Sequence, residues 1–191
     1  MSDLLEIRWH GRGGQGAVTA AKILAESAIL DGKFIQAFPE FGPERAGAPV
    51  RSFTRISSLP IYTHSQVTNP SLVIVLDPTL LEVIDVTEGL SEDGILIVNT
   101  NEPPRDLRQR LNIKGRKLYT VSATDIAIKE LKRNIPNTPM IAALVKVTGI
   151  VDIKTVEKNF REKYAKKFNP EVIEGNVRAM KAAFESVQGE K

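Results

Sequence analysis

The stretch His10-Gly11-Arg12-Gly13-Gly14-Gln15-Gly16 decides the fold, because it joins a short apolar segment to a long amphipathic one. The apolar run before it, residues 4–9, ends at this glycine cluster and predicts a buried strand. Residues 17–30 carry apolar side chains three and four positions apart and predict a helix packed against a sheet. A strand, a glycine turn and a helix in succession predict an α/β domain.

The alternation of strands and helices continues along the chain. Short apolar runs predict further strands at residues 34–38, 50–56, 72–76, 94–99 and 117–121. The run at 50–56 alternates polar and apolar side chains, which predicts a strand with one face in water. Helical spacing predicts helices at 79–86, 124–133, 140–148, 153–167 and 171–186. We therefore expect a Rossmann-like three-layer α/β fold with a parallel or mixed central sheet and a helical C-terminal third, with residues 1–191 as a single domain.

The composition excludes several classes of protein. The chain has 191 residues, of which 42% are hydrophobic and 26% are charged, so a full-sized core can form. Its 26 Lys and Arg residues against 23 Asp and Glu residues give a net charge of +3, which is too even a balance for a nucleic-acid partner. No apolar run resembles a signal peptide or a membrane span, so we expect a cytoplasmic protein without membrane contact.

Side chains that commonly hold metals are scarce. The chain has no cysteine, and His10 and His64 are its only histidines. Disulfides, cysteine-ligated iron–sulfur clusters, thiolate zinc sites and a cysteine nucleophile are excluded, and we expect no metal site in this chain. Any redox metal used in the function must therefore sit on another chain.

The glycine turn contains the spacing G-x-G-x-x-G at Gly11, Gly13 and Gly16. Glycines let the backbone approach a ligand closely, and free N–H groups at a helix start favour an anion. A phosphate-binding P-loop is excluded, because Ala17-Val18 stands where that motif needs Lys and Ser or Thr. A dinucleotide site needs an acid at the end of the second strand, and the nearest acid, Glu40, already lies in a loop.

A turn built only for close packing of the strand and the helix is another interpretation. Gly14 and Gln15 argue against it, because a double glycine followed by an amide side chain exceeds what packing requires. We therefore predict a binding role for Gly11, Gly13, Gly14, Gln15 and Gly16. His10 is either an acid–base group or the end of the strand, and Asp77 and Asp125 either face a ligand crevice or cap helices.

A second candidate segment is the loop at residues 39–49, whose three prolines and two glycines exclude a regular element. Glu44, Arg45 and Gly47 in this loop are predicted to contact a partner or a substrate, because a constrained loop presents charge at little entropic cost. A local Glu–Arg pair in solvent is the alternative. The basic run Arg161-Glu162-Lys163-Tyr164-Ala165-Lys166-Lys167 is either a solvated helix face or a docking face for an acidic protein.

Several of these motifs occur together in one known family. The glycine turn, followed by Phe41-Gly42-Pro43-Glu44-Arg45-Ala46-Gly47 and Val50-Arg51-Ser52-Phe53, resembles the gamma subunit of the 2-oxoacid:ferredoxin oxidoreductases. Matching segments follow in the same order, and essentially the whole chain is covered: Asn69-Pro70, Leu90-Ser91-Glu92-Asp93-Gly94, Pro136-Asn137-Thr138-Pro139-Met140 and a late helix with Glu174, Asn176 and Ala179. The chain departs from the family at Ala46, where members often have glycine.

The resemblance implies a function that belongs to an assembly. These enzymes oxidatively decarboxylate a 2-oxoacid with coenzyme A, giving an acyl-CoA, carbon dioxide and electrons for ferredoxin. Thiamine diphosphate and magnesium are implied between two other subunits and [4Fe–4S] clusters on cysteine-rich subunits, with no cofactor in this chain. The implied partners are the alpha, beta and delta subunits and, through the complex, ferredoxin. Pyruvate is the expected 2-oxoacid, with branched-chain 2-oxoacids and 2-oxoglutarate as alternatives.

Two hypotheses from other classes are a free-standing nicotinamide or flavin enzyme and a non-catalytic structural module. The missing ribose acid argues against the first, and the second overlaps with a subunit that lacks its own cofactors. Within the assembly, the N–H groups from Gly13 to Ala17 form the best anion site that this sequence can build. We expect this site to hold a phosphate of coenzyme A or a group of a neighbouring subunit.

Overall fold

The computed structural model describes residues 4–40 and 47–190. Their strands, in chain order, are β1 (Leu5–Arg12), β2 (Phe34–Glu40), β3 (Pro49–Ser57), β4 (Leu72–Val75), β5 (Ile95–Asn99), β6 (Lys117–Val121) and β7 (Gln188–Gly189). The helices are α1 (Ala17–Leu30), α2 (Pro104–Leu111), α3 (Ala123–Leu131), α4 (Asn137–Thr148), α5 (Ile153–Tyr164) and α6 (Pro170–Ser186). A short 3₁₀ helix covers Pro78–Glu82.

All these strands belong to one mixed sheet with the order β2-β3-β1-β4-β5-β6-β7. The central strands β1, β4, β5 and β6 pair in parallel. Strand β3 pairs antiparallel with both β1 and β2, and β7 pairs antiparallel with β6. The chain runs from β1 through α1 to β2, but β2 does not lie next to β1. Strand β3 lies between them.

Helical layers cover both faces of the sheet, which confirms the three-layer prediction. One face carries Trp9 and Ile74 and packs against α1 and the C-terminal helices in the larger core. The opposite face carries Val75 and Val98 and packs against Leu80 of the 3₁₀ helix and Leu107 of α2. The apolar runs at β4 and β5 are continuous because both of their faces are buried.

The prediction of a wet face on β3 is wrong. Arg55 is only 1% exposed, and its Nε atom donates to Glu6 Oε1 at 2.7 Å. The remaining guanidinium N–H groups donate to the Gln36 side chain and to the carbonyl oxygens of Thr63 and Ser65. A buried guanidinium needs this full set of acceptors. Arg55 therefore lies in a buried polar network, whereas the side chain of Arg51 on the same strand is 42% exposed.

Two helix predictions need correction. The helix expected at 79–86 is limited to the 3₁₀ helix, which starts where the Asp77 side chain accepts from the Thr79 N–H. Helix α2 was not predicted, and it begins at Pro104. Proline is tolerated in the first turn of a helix, where its missing N–H would have no partner anyway. The three predicted C-terminal helices are confirmed, with α5 ending at Tyr164.

Candidate functional site at the glycine turn

The glycine turn bridges the end of β1 and the start of α1. Gly14 has φ 98° and Gly16 has φ 82°, a left-handed region that side chains rarely adopt. Gly16 also packs against the start of α4, because an added Cβ would lie 2.7 Å from Nδ2 of Asn137. Gly11 is tight as well, since its Cβ would lie 3.2 Å from Cβ of Ala17. Close packing thus explains Gly11 and Gly16, whereas Gly14 has no atom within 4 Å of its Cβ position.

Gln15 stabilises the glycine turn through two side-chain hydrogen bonds. Its Oε1 atom accepts the Arg12 N–H at 2.8 Å, and its Nε2 atom donates to Asp77 Oδ2 at 2.6 Å. Burial opposes ionisation of Asp77, yet hydrogen bonds from Thr79 and Gln15 lower the pKa of its carboxyl group. Asp77 therefore caps the 3₁₀ helix, which confirms the capping interpretation, and its carboxylate also holds the glycine turn through Gln15.

Arg12 connects the glycine turn to the end of the second candidate loop. Its Nη1 atom donates to the Gly47 carbonyl at 3.2 Å, and its Nη2 atom donates to the Thr79 hydroxyl at 2.8 Å. The Gly13 N–H donates to the carbonyl of Ala48 at 2.9 Å. The structure thus places Gly47, the end of the second candidate loop, next to the glycine turn, so the two candidate segments lie together. Glu44 and Arg45 lie outside the described residues.

The free N–H groups differ from those expected. The Gly13 N–H is bonded to Ala48, and the Gln15 N–H donates to the Arg12 carbonyl at 3.1 Å. Five N–H groups have no acceptor among the described residues, and they belong to Gly14, Gly16, Ala17, Val18 and Thr19. The first turn of α1 holds no acidic residue. The open donors therefore begin at Gly14 and continue into the first turn of α1.

His10 is a structural residue of β1. Its Nε2 atom accepts from Arg8 Nε at 3.0 Å, so the neutral ring carries its proton on Nδ1. The residue is 2% exposed, and burial together with the charges of Arg8 and Arg51 lowers its pKa to about 3. A ring that stays neutral and is shielded from solvent is unsuited to proton transfer near neutral pH. The acid–base interpretation is therefore wrong, and so is the strand-end interpretation, because β1 continues past His10 to Arg12.

The sheet order argues against a dinucleotide site. Such sites place the second strand directly beside the first, so that its terminal acid reaches the ribose. The prediction that Glu40 lies in a loop is wrong, because it is the last residue of β2, and Pro39 and Pro49 also lie in strands. However, β3 separates β1 from β2, and Glu40 pairs with Arg51 at 2.6 Å. Asp125, in the first turn of α3, forms no hydrogen bond or ion pair within the described part of the chain.

Comparison with known proteins identifies the family. The family model described as pyruvate ferredoxin/flavodoxin oxidoreductase matches residues 6–186. The chain belongs to this family. The resemblance to the gamma subunit of the 2-oxoacid:ferredoxin oxidoreductases is confirmed, because the similar proteins with that role are matched over almost their whole length.

The similar proteins of this oxidoreductase family come from bacteria and archaea. The chain is 52% identical over 183 residues to pyruvate synthase subunit PorC of Thermotoga maritima, covering 96% of this chain and 94% of that protein. It is 50% identical over 185 residues to the common gamma subunit of the pyruvate/ketoisovalerate oxidoreductases of Pyrococcus abyssi, covering 97% and 98%. The crystal structure of a pyruvate oxidoreductase subunit from Thermotoga maritima superposes with a TM-score of 0.87 at 46% identity and covers both chains fully. The keto/oxoacid ferredoxin oxidoreductase gamma subunit of Geobacter sulfurreducens gives 0.74 at 27% identity and 95% coverage of each chain.

The cysteine-free composition of this family member limits what its own residues can bind. Within residues 4–40 and 47–190, no group of three or more Asp, Glu or His side chains is arranged to hold a metal ion. None of the helices in this part of the chain is long and apolar enough to cross a membrane. The candidate site is therefore a set of backbone donors at the start of α1, beside Arg12.

Proposed function

We propose that this chain is the gamma subunit of a pyruvate synthase, acting as one domain in a complex with alpha, beta and delta subunits. The complex would convert pyruvate and coenzyme A to acetyl-CoA and carbon dioxide and pass electrons to ferredoxin. The proposal rests on near-full-length similarity to pyruvate synthase subunits. The [4Fe–4S] clusters are assigned to the partner subunits, because this chain offers no thiolate ligand. Thiamine diphosphate and its magnesium are assigned there as well, since the described residues hold no group of three Asp, Glu or His side chains arranged for a metal ion.

The choice of 2-oxoacid is assigned to the partner subunits as well. Similar gamma subunits from Pyrococcus and Thermococcus are named as common to pyruvate and ketoisovalerate oxidoreductases. A subunit shared by two enzymes does not distinguish their substrates. Branched-chain 2-oxoacids therefore remain the second candidate substrates for the complex that contains this chain.

For the glycine turn we propose contact with a phosphate group of coenzyme A. The observation that carries this proposal is the row of open N–H donors from Gly14 into the first turn of α1. Such donors, aligned with the helix dipole, favour an anion. The Arg12 guanidinium pairs with Asp77 at 3.4 Å, so the backbone donors carry the proposal. Gly11, Gly13 and Gln15 would shape this site from behind, while Gly14 and Gly16 would face the ligand.

For the loop that carries Glu44 and Arg45 we propose contact with a partner subunit or with the bound substrate. What supports the proposal is the position of Gly47, whose carbonyl oxygen accepts from Arg12 beside the glycine turn. A contact on this loop would place a partner at the edge of the proposed coenzyme A site.

The test compares Gly14→Asp with Gly14→Asn in the reconstituted complex. Both side chains enter open space at the same strained backbone position, so they differ mainly in charge. The carboxylate would compete for the N–H donors and repel phosphate, and should raise the KM for coenzyme A about tenfold or more above that of the Asn variant. The KM for pyruvate should stay unchanged.

Two outcomes would refute the coenzyme A assignment. If both variants have the same KM for coenzyme A, the turn does not contact an anionic part of that substrate. If Gly14→Asp fails to join the complex in size-exclusion chromatography while Gly14→Asn joins normally, the donors bind a neighbouring subunit instead. Absence of any pyruvate-dependent ferredoxin reduction by the wild-type complex would refute the proposed function itself.

A further inference from the structure

A small apolar cavity lies next to the start of α1, between α1, α5, α6 and the segment that joins α3 to α4. Its volume is about 120 Å³. We call it the α5–α6 socket, defined by its lining residues Thr19, Ile23, Leu131, Arg133, Ile135, Asn137, Thr138, Phe160, Tyr164, Phe168, Val172 and Asn176. A cavity of roughly 150 Å³ with an apolar lining is large enough to bind benzene, so this socket fits one large side chain.

Aromatic rings form one wall of the socket and continue onto the surface. Phe160 and Tyr164 lie with ring centroids 4.6 Å apart, and Tyr164 stacks on Phe168 at 5.2 Å. Phe168 is 43% exposed. An exposed ring at the mouth of an apolar cavity is typical of a protein interface, because single aromatic anchors carry much of the binding energy there.

The charges at the mouth of the socket have one sign. None of the described lining residues is acidic, whereas Arg133 lines the socket and Lys167 lies 5.8 Å from the Tyr164 ring centroid. Neither cation forms an ion pair within the described residues. The neighbouring cations on α5 differ in this respect, because Arg161 pairs with Glu174 and Lys163 pairs with Glu26. Lys163 lies 5.7 Å from the Tyr164 ring centroid, but Glu26 balances its charge, so Arg133 and Lys167 are the cations beside the socket without a paired carboxylate in the described part of the chain.

We propose that the α5–α6 socket receives one large apolar side chain of another subunit of the complex, flanked in that subunit by acidic residues. The inference rests on the proposed function, because it requires a complex. The volume of the socket matches one apolar side chain. The two unpaired cations, Arg133 and Lys167, favour acidic residues on either side of that side chain in the partner subunit. This interface is separate from the one proposed at the Gly47 loop.

The floor of the socket links this interface to the glycine turn. Asn137 lines the socket and is the residue that packs against Gly16. Its Oδ1 atom accepts the Thr138 N–H at 2.8 Å, whereas its Nδ2 atom has no acceptor among the described residues. A partner side chain in the socket would hold Asn137 in place and thereby stabilise the start of α1.

Two kinds of variant test the socket in the complete complex. Val172→Trp fills it from the first turn of α6, and the matched control Val83→Trp places the same side chain at an exposed valine elsewhere. The double variant Arg133→Glu with Lys167→Glu reverses the charge at the mouth without filling the socket. Its control is Arg105→Glu, which reverses an exposed charge on α2.

Binding of each variant to the co-expressed partner subunits would be measured by size-exclusion chromatography and by titration calorimetry. Val172→Trp should weaken binding about tenfold or more, and the charge reversal several-fold, with the larger loss at low salt. Both controls should bind like the wild type, and circular dichroism would verify that every variant is folded.

Normal assembly of both folded socket variants would overturn the inference. A raised KM for coenzyme A or for ferredoxin with assembly intact would also overturn it, because the occupant would then be a substrate or the electron acceptor. The proposed function is checked separately, since it predicts that the wild-type chain assembles with thiamine-binding and iron–sulfur partner subunits. Failure of that wild-type assembly would refute the function, whereas failure of the variants alone supports the socket.

Discussion

Replacing Gly16 with alanine tests how the glycine turn is held. The residue has φ 82°, and an L-amino acid in the left-handed region costs roughly 1–2 kcal/mol. The added Cβ would also lie 2.7, 3.1 and 3.2 Å from Nδ2, Cγ and Cβ of Asn137. The Nδ2 atom can turn toward the socket, but Cβ of Asn137 is fixed by the backbone of α4, so the overpacking adds about 1–3 kcal/mol. We expect Gly16→Ala to lower the free energy of unfolding by about 2–5 kcal/mol.

Gly14→Ala is the matched control, because Gly14 has φ 98° but no atom within 4 Å of the Cβ position. It should lose only the backbone contribution, roughly 1–2 kcal/mol. Urea unfolding followed by far-ultraviolet circular dichroism would measure both, with an unchanged m-value required for the comparison. The difference between the two variants isolates the contact between α1 and α4.

A double-mutant cycle with Asn137→Ala makes the test specific. This substitution removes Nδ2 and Cγ, so that only the 3.2 Å contact to Cβ remains. Gly16→Ala should therefore cost about 1–3 kcal/mol less in the Asn137→Ala background than in the wild type. Equal costs in the two backgrounds, or equal costs for Gly16→Ala and Gly14→Ala, would refute the reasoning.

Two further predictions concern titratable groups of the turn. Gln15→Glu keeps the acceptor for the Arg12 N–H but places a carboxylate oxygen against Asp77. Because two carboxylates in contact repel each other, the pKa of one of them is raised in the folded state. The variant should therefore lose stability as the pH rises from about 4 to 7. A loss of the same size at both pH values, measured by urea midpoints, would contradict this. Folding lowers the pKa of His10 from 6.5 to about 3. Between these two pH values the imidazole is protonated in the unfolded chain but neutral in the folded one. The free energy of unfolding should therefore fall by about 1.4 kcal/mol for each pH unit as the pH drops. His10→Gln retains an acceptor for Arg8 and should flatten that part of the pH dependence, whereas an unchanged slope would assign it to other groups.

Local sequence patterns were sufficient for much of the fold. Strand β1, the glycine turn and α1 were predicted because apolar periodicity and glycine conformations act within a few residues of each other. The buried strands β4 and β5 and the helical C-terminal third follow from the same kind of signal. The sequence does not predict helix α2, because its only buried residues are Pro104 and Leu107 and the helix therefore lacks an apolar stripe.

The sequence locates the candidate site at the glycine turn, and the structure shows which of its N–H groups and side chains are already hydrogen-bonded. The sequence indicated that the glycine turn would bind an anion, and the open N–H groups at the start of α1 are consistent with that role. It did not indicate that Gln15 would be engaged with Arg12 and Asp77, because Asp77 lies 62 positions further along the chain. The motifs also identified the family, since they preserve a local pattern that does not depend on knowing the sheet order.

By itself, the sequence determined the type of most elements, the family and the exclusion of a cysteine-held cofactor. Only the tertiary structure decided that β3 lies between β1 and β2, that Arg55 is buried, and that Asn137 packs against Gly16. Strand pairing and helix packing join residues far apart in the chain, and the free energy of such contacts depends on the shapes and partners that the whole fold brings together. A periodic pattern reports which face of an element is apolar, but it does not report which other element will cover that face.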